Sequence, residues 1–213
     1  NSILVSNLGS IKSHIKMQLP AGKNAAPSYA GTVTTDNFQL GTLLRQPQLG
    51  SLTINGKVSG KGFDPLEANI TLDATVKQIE FNGYKYQNIT MDGEIQHKVF
   101  KGNLLVDDPN LALAFYGNID FSKKELNINA KANLLKSNFA VLNFTKDTIT
   151  ASADFDLNFI GSSIDEFVGD AKLYNINLMR NGHRLDLDSV YARGGQEDGQ
   201  EVLEIESNAL AAK

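Results

Sequence analysis

The sequence contains no cysteine, no tryptophan and no long hydrophobic run. The absence of cysteine excludes disulfides, thiol catalysis and cysteine–zinc sites. The longest apolar run, Leu111 to Tyr116, is strand-sized and far shorter than the roughly 18 residues of a membrane-spanning helix. The absence of tryptophan removes the side chain that stacking platforms for sugars usually need, which argues against a carbohydrate-binding face.

Positive charge is also scarce relative to negative charge. The 20 Lys and Arg against 24 Asp and Glu give a net charge of −4 and a pI of about 5.4. This balance argues against nucleic acid as a partner, and it predicts no basic patch for docking to anionic lipid head groups. With 41% hydrophobic and 21% charged residues in 213, the chain is expected to fold and to bury a core.

The first residues, "NSILVSN", begin in the middle of an alternating pattern, without an initiator Met or a signal peptide. We therefore expect the sequence to be a piece of a longer protein, from which targeting information is missing.

Alternation of apolar and polar residues is the dominant pattern of the chain. In "ANITLDATV", residues 68–76, every second residue is apolar and the residues between are polar. Similar rows occupy 89–96, 111–121, 126–134 and 149–159. A period of two is typical of half-buried strands, and Asn82-Gly83 and Asn181-Gly182 are strong hairpin signals. Long strands joined by short turns predict an antiparallel meander.

Two segments interrupt the alternation with apolar residues at helical spacing. Each starts with a capping residue, Asp36 or Ser137. We expect one short helix around Leu40, Leu43 and Leu44, and a second around Phe139, Leu142 and Phe144.

The two interruptions also begin a weak internal repeat. At an offset of 101, Asn37-Phe38 matches Asn138-Phe139, and the Asn-Gly turns match after the loss of two residues. This predicts the end of a preceding repeat at 1–35, a complete helix-plus-meander repeat at 36–136 and an incomplete one at 137–213, within one continuous elongated sheet.

The apolar face of such a meander must be covered. About twenty large side chains at roughly 1.5–3 kcal/mol each exceed the roughly 5–15 kcal/mol of a domain's net stability. The meander could close into a barrel or a sandwich, or it could curl into an open trough whose apolar groove suits acyl chains. In the open form we expect the groove to be lined by Ile70, Leu72, Val76, Ile95, Leu104, Val106, Leu113, Phe115, Ile119, Phe121, Leu126, Ile128, Leu134, Phe155, Leu157 and Phe159.

Residues that could perform chemistry are few and scattered. His14, His97 and His183 are far apart in sequence, so a shared metal site is not expected. The pairs Asp154/Asp156 and Asp186/Asp188 alternate with apolar residues, which is typical of a solvated strand face. No nucleophile-elbow, phosphate-loop or dinucleotide motif is present. We therefore expect neither catalysis nor a cofactor nor a metal.

Three motifs together resemble the TamB (translocation and assembly module) proteins and the wider AsmA-like family. They are "DNFQLG" at 36–41, "NGYKYQNI" at 82–89 and "DDPNL" at 107–111. The segment "LYNINLMRNGHRLDLDSVYAR" at 173–193 is similar to the same family's next repeat. The resemblance extends from about residue 30 to the end of the chain.

This resemblance implies an all-β fold, a long antiparallel meander curled into an elongated open trough (a "β-taco") with an apolar lumen and one or two short helices. It implies a middle section of a periplasmic envelope protein of a Gram-negative bacterium, anchored in the inner membrane through a segment absent here. Phospholipid acyl chains, or unfolded outer-membrane proteins, would occupy the lumen. An Omp85-type outer-membrane barrel would be the partner of the full-length protein.

Two other functions remain open at this stage. Exposed edge strands could bind client proteins by β-augmentation, which would also allow edge-to-edge oligomers of the fragment. A closed β-sandwich could instead act as an adhesin or glycan binder through its loops.

Overall fold

The computed structural model describes residues 2–6, 8–19, 26–62, 69–120, 122–123, 125–161, 167–197 and 200–209. Within these ranges the chain is all-β apart from one helix of five residues. It divides into two compact units, Asn1–Pro109 (unit 1) and Asn110–Lys213 (unit 2). The strand alternation and the short turns of the sequence explain this architecture, because each polar–apolar row forms one strand.

Unit 1 is an antiparallel meander in which neighbouring strands follow chain order. The sheet order is β1-β2-β3-β5-β6-β7-β8, and the short β4 pairs with β5. The elements are β1 (Ser2–Ser6), β2 (Gly9–Gln18), β3 (Ser28–Asp36), β4 (Phe38–Gln39), α1 (Leu40–Leu44), β5 (Leu49–Lys61), β6 (Asn69–Phe81), β7 (Tyr84–Gln96) and β8 (Val99–Asp108).

Unit 2 is a second antiparallel meander of the same kind. Each strand pairs with the next along the chain. The strands are β9 (Leu111–Asp120), β10 (Asn127–Asn138), β11 (Ile149–Ile160), β12 (Val168–Arg180), β13 (His183–Glu197) and β14 (Gln200–Ala209).

Neither meander closes on itself. Among the described residues, no pairing joins β1 to β8 in unit 1 or β9 to β14 in unit 2. The prediction of an all-β, open antiparallel meander is therefore confirmed, and a closed barrel is not formed.

The two Asn-Gly hairpins form as predicted. Asn82 and Gly83 have φ values of 50° and 75°, and Asn181 and Gly182 have values of 49° and 84°. Two consecutive left-handed residues match the right-handed twist of the flanking strands.

The first predicted helix is present, and the second prediction is wrong. Leu40–Leu44 form α1, which ends at Arg45 in the left-handed conformation. Residues 139–143 form hydrogen-bonded turns instead. Their backbone bonds have mixed spacing, since Leu142 donates to Asn138 while Phe144 donates to Phe139. An α-helix needs consecutive bonds of one spacing.

The order of the long strands in β2–β8 recurs in β9–β14, without counterparts of β4 and α1, and individual hydrogen bonds recur as well. The N–H of Gly62 donates to Pro27 O, and that of Gly161 donates to Leu126 O, in each case at 2.8–2.9 Å. The N–H of Asn82 likewise donates to Gln48 O, just before β5, and the N–H of Asn181 donates to Thr148 O, just before β11. The chain thus repeats with a period of about 100 residues, while the predicted boundaries at 36 and 137 stay a prediction.

Candidate functional site: an apolar sheet face in each unit

The strand register of unit 1 brings the predicted apolar residues together on one side of the sheet. Residues that pair directly across antiparallel strands point to the same face. Ile70 pairs with Ile95, and Val76 pairs with Ile89, which in turn pairs with Val106. The rows across the strands are Tyr29–Gly60–Ile70–Ile95–Phe100, Gly31–Val58–Leu72–Gly93–Gly102, Val33–Gly56–Ala74–Met91–Leu104 and Ile54–Val76–Ile89–Val106. All six lining residues predicted in unit 1 lie on this apolar face.

Unit 2 has an apolar face built in the same way. Phe155 pairs with Ala132 on one side and with Leu173 on the other. The rows are Ile119–Ile128–Phe159–Gly169–Gly194–Leu203, Gly117–Ala130–Leu157–Ala171–Ala192–Ile205, Phe115–Ala132–Phe155–Leu173–Val190 and Leu113–Leu134–Ala153. Eight predicted lining residues lie here: Leu113, Phe115, Ile119, Ile128, Leu134, Phe155, Leu157 and Phe159. Leu126 precedes β10 and is 37% exposed, and Phe121 lies outside the described residues.

The sequence pattern missed the contributions of β12 and β13 to this face. Asn175 has a φ of 53°, and the register between β11 and β12 shifts beside it, because Asp154 pairs with Tyr174 whereas Ser152 pairs with Asn177. Because of this shift, the apolar residues of β12 continue from Leu173 to Ile176 rather than to Asn175. An asparagine inside an apolar–polar row was the available signal, since asparagine tolerates the left-handed conformation.

Aromatic rings lie over glycines on both apolar faces. A Cβ on Gly93 would approach Phe100 Cε2 to 2.8 Å, and one on Gly102 would approach Phe100 Cζ to 2.9 Å. In unit 2 the ring of Phe167 contacts Gly194 in the same way and lies 4.9 Å from the ring of Phe159. The glycines therefore leave space for large aromatic rings. These rings lie within the apolar faces and do not form a second layer on them.

Within the described ranges, no second sheet or helical layer packs on the middle of either apolar face. Leu142 and Asp108 are the largest described side chains that are less than 2% exposed, and most apolar-face residues are half-buried. The filled core that the sandwich alternative requires is absent from the described residues.

A buried polar cluster lies at one end of the apolar face of unit 1. The Asp108 carboxylate is 1% exposed and accepts hydrogen bonds from the Tyr84 hydroxyl at 2.7 Å and the Gln87 N–H at 3.0 Å. The Tyr84 ring meets the Tyr86 ring edge-on at 4.8 Å. Burial, followed by the proximity of Tyr84 and Asp108, raises the pKa of Tyr86. The hydrogen bonds of this cluster satisfy the buried Asp108 carboxylate at the end of the apolar face.

The corresponding end of unit 2 is closed by the 139–144 turn. Leu142 is 1% exposed, and the rings of Phe139 and Phe144 meet at 6.3 Å. The buried Ser137 hydroxyl donates to Ala151 O at 3.0 Å, as the Thr35 hydroxyl of unit 1 donates to Leu52 O at 2.9 Å. In both units, buried side chains therefore pack at this end of the apolar face. We call the 139–144 turn of unit 2 the plug.

The opposite face of unit 2 is polar and solvated. Asp154 accepts hydrogen bonds from the side chains of Asn175 and Asn133, and these bonds lower its pKa. Asp156 pairs with Lys131 at 3.2 Å. The first aspartate pair thus lies on the solvated face, as predicted, and takes part in surface hydrogen bonding.

In the part of the chain that the structure describes, no three His, Asp or Glu side chains converge as metal ligands, and no helix is long and apolar enough to cross a membrane. Comparison with known proteins returned no matching family model, no matching curated protein and no matching solved structure. The site is therefore defined by its own geometry: one uncovered apolar sheet face in each unit.

Proposed function

We propose that this chain is a non-catalytic module of the bacterial cell envelope whose apolar faces hold phospholipid acyl chains. In this role it would support phospholipid transport between the inner and outer membranes, outer-membrane protein assembly, or both. The observation that carries the proposal is the set of continuous apolar rows in each unit, most of whose described residues are half-buried. The row at the end of each face is the exception, since Val76, Ile89 and Val106 in unit 1 and Leu134 and Ala153 in unit 2 are buried.

Acyl chains match this surface chemically. The rows in the middle of each face consist of aliphatic, aromatic and glycine residues without charged groups, so they offer dispersion contacts and no directional bonds. Contact with hydrocarbon removes apolar area from water at about 25 cal/mol per Å². Such a surface favours many lipids equally, which suits a conduit better than a specific receptor.

The wider setting of the proposal comes from the resemblance to TamB and AsmA-like proteins. In that setting the module belongs to a periplasmic protein anchored in the inner membrane and working with an Omp85-type outer-membrane barrel. No enzymatic step, cofactor or metal is part of it.

The test is native mass spectrometry with lipid extraction on the segment purified gently from a bacterial envelope. We expect bound phospholipid in the wild type and a large loss in Phe155→Arg, because the guanidinium would place a charge between Ala132 and Leu173. Asn158→Arg is the matched control, since Asn158 lies on the polar face of the same strand and should retain lipid. A folded, lipid-free wild type that also binds no hydrophobic dye would refute the groove.

A second function is favoured by the free edge of β14. Among the described residues β14 pairs only with β13, and its Ile205 side chain is 65% exposed. An unpaired edge can accept a strand of an outer-membrane client by β-augmentation.

Two separate single variants at consecutive positions of the edge strand, Glu206→Pro and Ser207→Pro, distinguish this second function from the first. Successive N–H groups point to opposite edges of a strand, so one proline breaks a bond to β13 and the other removes only an outward donor. The variant that keeps the wild-type melting temperature should lose client binding in a pull-down while keeping its bound lipid. Unchanged client binding in that variant would exclude pairing at this edge.

A further inference from the structure

Four exposed lysines form a stripe on the polar face of unit 1. Lys12 and Lys16 lie on β2, and Lys57 and Lys61 lie on β5, with β3 between them. Through β3, Lys16 is level with Ser59, and Lys12 is level with Asn55. The four lysines therefore alternate between the two strands in a zigzag. The spacing of strands and residues in a sheet puts the Cα atoms of successive lysines about 12 Å apart. We call this set the lysine stripe.

The lysine stripe is poorly neutralised. None of its members forms an ion pair with a described residue, and β2 and β5 carry no acidic residue. Asp73 on β6 lies directly opposite Lys57, and Asp36, which pairs with Ser10, lies diagonally across from Lys12. Unit 1 has 10 Lys and Arg against 9 Asp and Glu, whereas unit 2 has 10 against 15. The acidity of the whole chain thus belongs to unit 2.

A surface depression of about 530 Å³ lies between Lys16 and Lys61. Its wall includes the side chains of Ser28, Ser59 and Thr71, which are hydrogen-bond donors. The net charge of the sequence predicted no basic patch for lipid head groups. Strand pairing nevertheless brings together lysines that are up to 49 positions apart (12 to 61), which a net charge does not report.

We propose that the lysine stripe binds the phosphate head groups of an anionic phospholipid surface. Lysine ammonium groups on flexible stems are mobile point charges, which suit mobile head groups, and no arginine fork is present for one fixed phosphate. Tyr29, which lines the depression, is the single Phe, Tyr or Trp in β2, β3 and β5, so these strands offer no row of rings on which successive nucleic-acid bases could stack. The proposal does not rest on acyl-chain binding, since the stripe is on the opposite side of the sheet from the apolar face.

Vesicle co-sedimentation at low ionic strength tests the lysine stripe. We expect binding to vesicles of phosphatidylcholine with 30% phosphatidylglycerol and much weaker binding to phosphatidylcholine alone. Each lysine near an anionic surface strengthens binding about fivefold, so Lys12, Lys16, Lys57 and Lys61, all changed to Gln, should weaken it by about a hundredfold or more. Lys77, Lys85, Lys101 and Lys136, all exposed and outside the stripe, changed to Gln, form the charge-matched control and should lose far less. Asp73→Asn should strengthen binding several-fold.

Four results would overturn the proposal, provided that every variant tested has a native circular dichroism spectrum. The first is an equal loss of vesicle binding in the stripe variant and the control variant. The second is equal binding of the wild type to neutral and anionic vesicles. The third is competition by millimolar inorganic phosphate beyond that of chloride at the same ionic strength, which would indicate a discrete phosphate site. The fourth is equally tight binding of a single-stranded DNA oligonucleotide. Phe155→Arg should leave the dependence on anionic lipid intact, so failure of the groove and failure of the stripe are distinguishable.

Discussion

Leu72→Asp or Phe155→Arg is expected to abolish lipid transport when introduced into the full-length protein. Leu72 sits between Val58 and Gly93 in the middle of the apolar face of unit 1. A bound acyl chain would remove water from a charge at this position. Transferring an unpaired charge into hydrocarbon costs several kcal/mol or more. Rescue of an envelope-defective strain, together with radiolabelled phospholipid exchange between membranes, measures the effect.

Polar-face substitutions of the same kind provide the control for this result. Thr75→Asp and Asn158→Arg place the same charges on the exposed polar face of β6 and β11 and should restore transport fully. Because a charge on the apolar face can also damage folding, limited proteolysis must show that the groove variants retain their strands. A folded Leu72→Asp protein that still restores transport would contradict the conduit.

Leu142→Ala is expected to lower the free energy of unfolding by about 2–5 kcal/mol, the range for a buried leucine whose cavity does not collapse. Leu142 is only 1% exposed and belongs to the 139–144 plug of unit 2, where few other side chains are as well packed. A sheet with an uncovered face has little redundant burial, so the loss should be large relative to total stability. Urea denaturation followed by tyrosine fluorescence and circular dichroism measures it.

Val141→Ala, in the same turn, is the matched control for Leu142→Ala. Val141 is 44% exposed, and its truncation should change the stability by no more than about 0.5 kcal/mol. Equal effects of the two variants would mean that the plug contributes no specific packing.

The sequence alone determined the parts of this protein that depend on local chemistry. Alternation assigned residues such as Leu72 and Phe155 to one face of a strand, because the side-chain period of a strand is two. Asn-Gly pairs located two hairpins, because both residues accept positive φ. Apolar spacing located α1 at Leu40–Leu44.

Only the tertiary structure decided the features that depend on distant residues. Whether the meander closes is set by the pairing and twist of all strands together, and no single row in the sequence reports it. The register shift beside Asn175 and the turn in place of the expected helix at Phe139 are visible only once the neighbouring strands are paired. The lysine stripe exists only because β2 and β5 flank β3 in the sheet, which net charge cannot reveal.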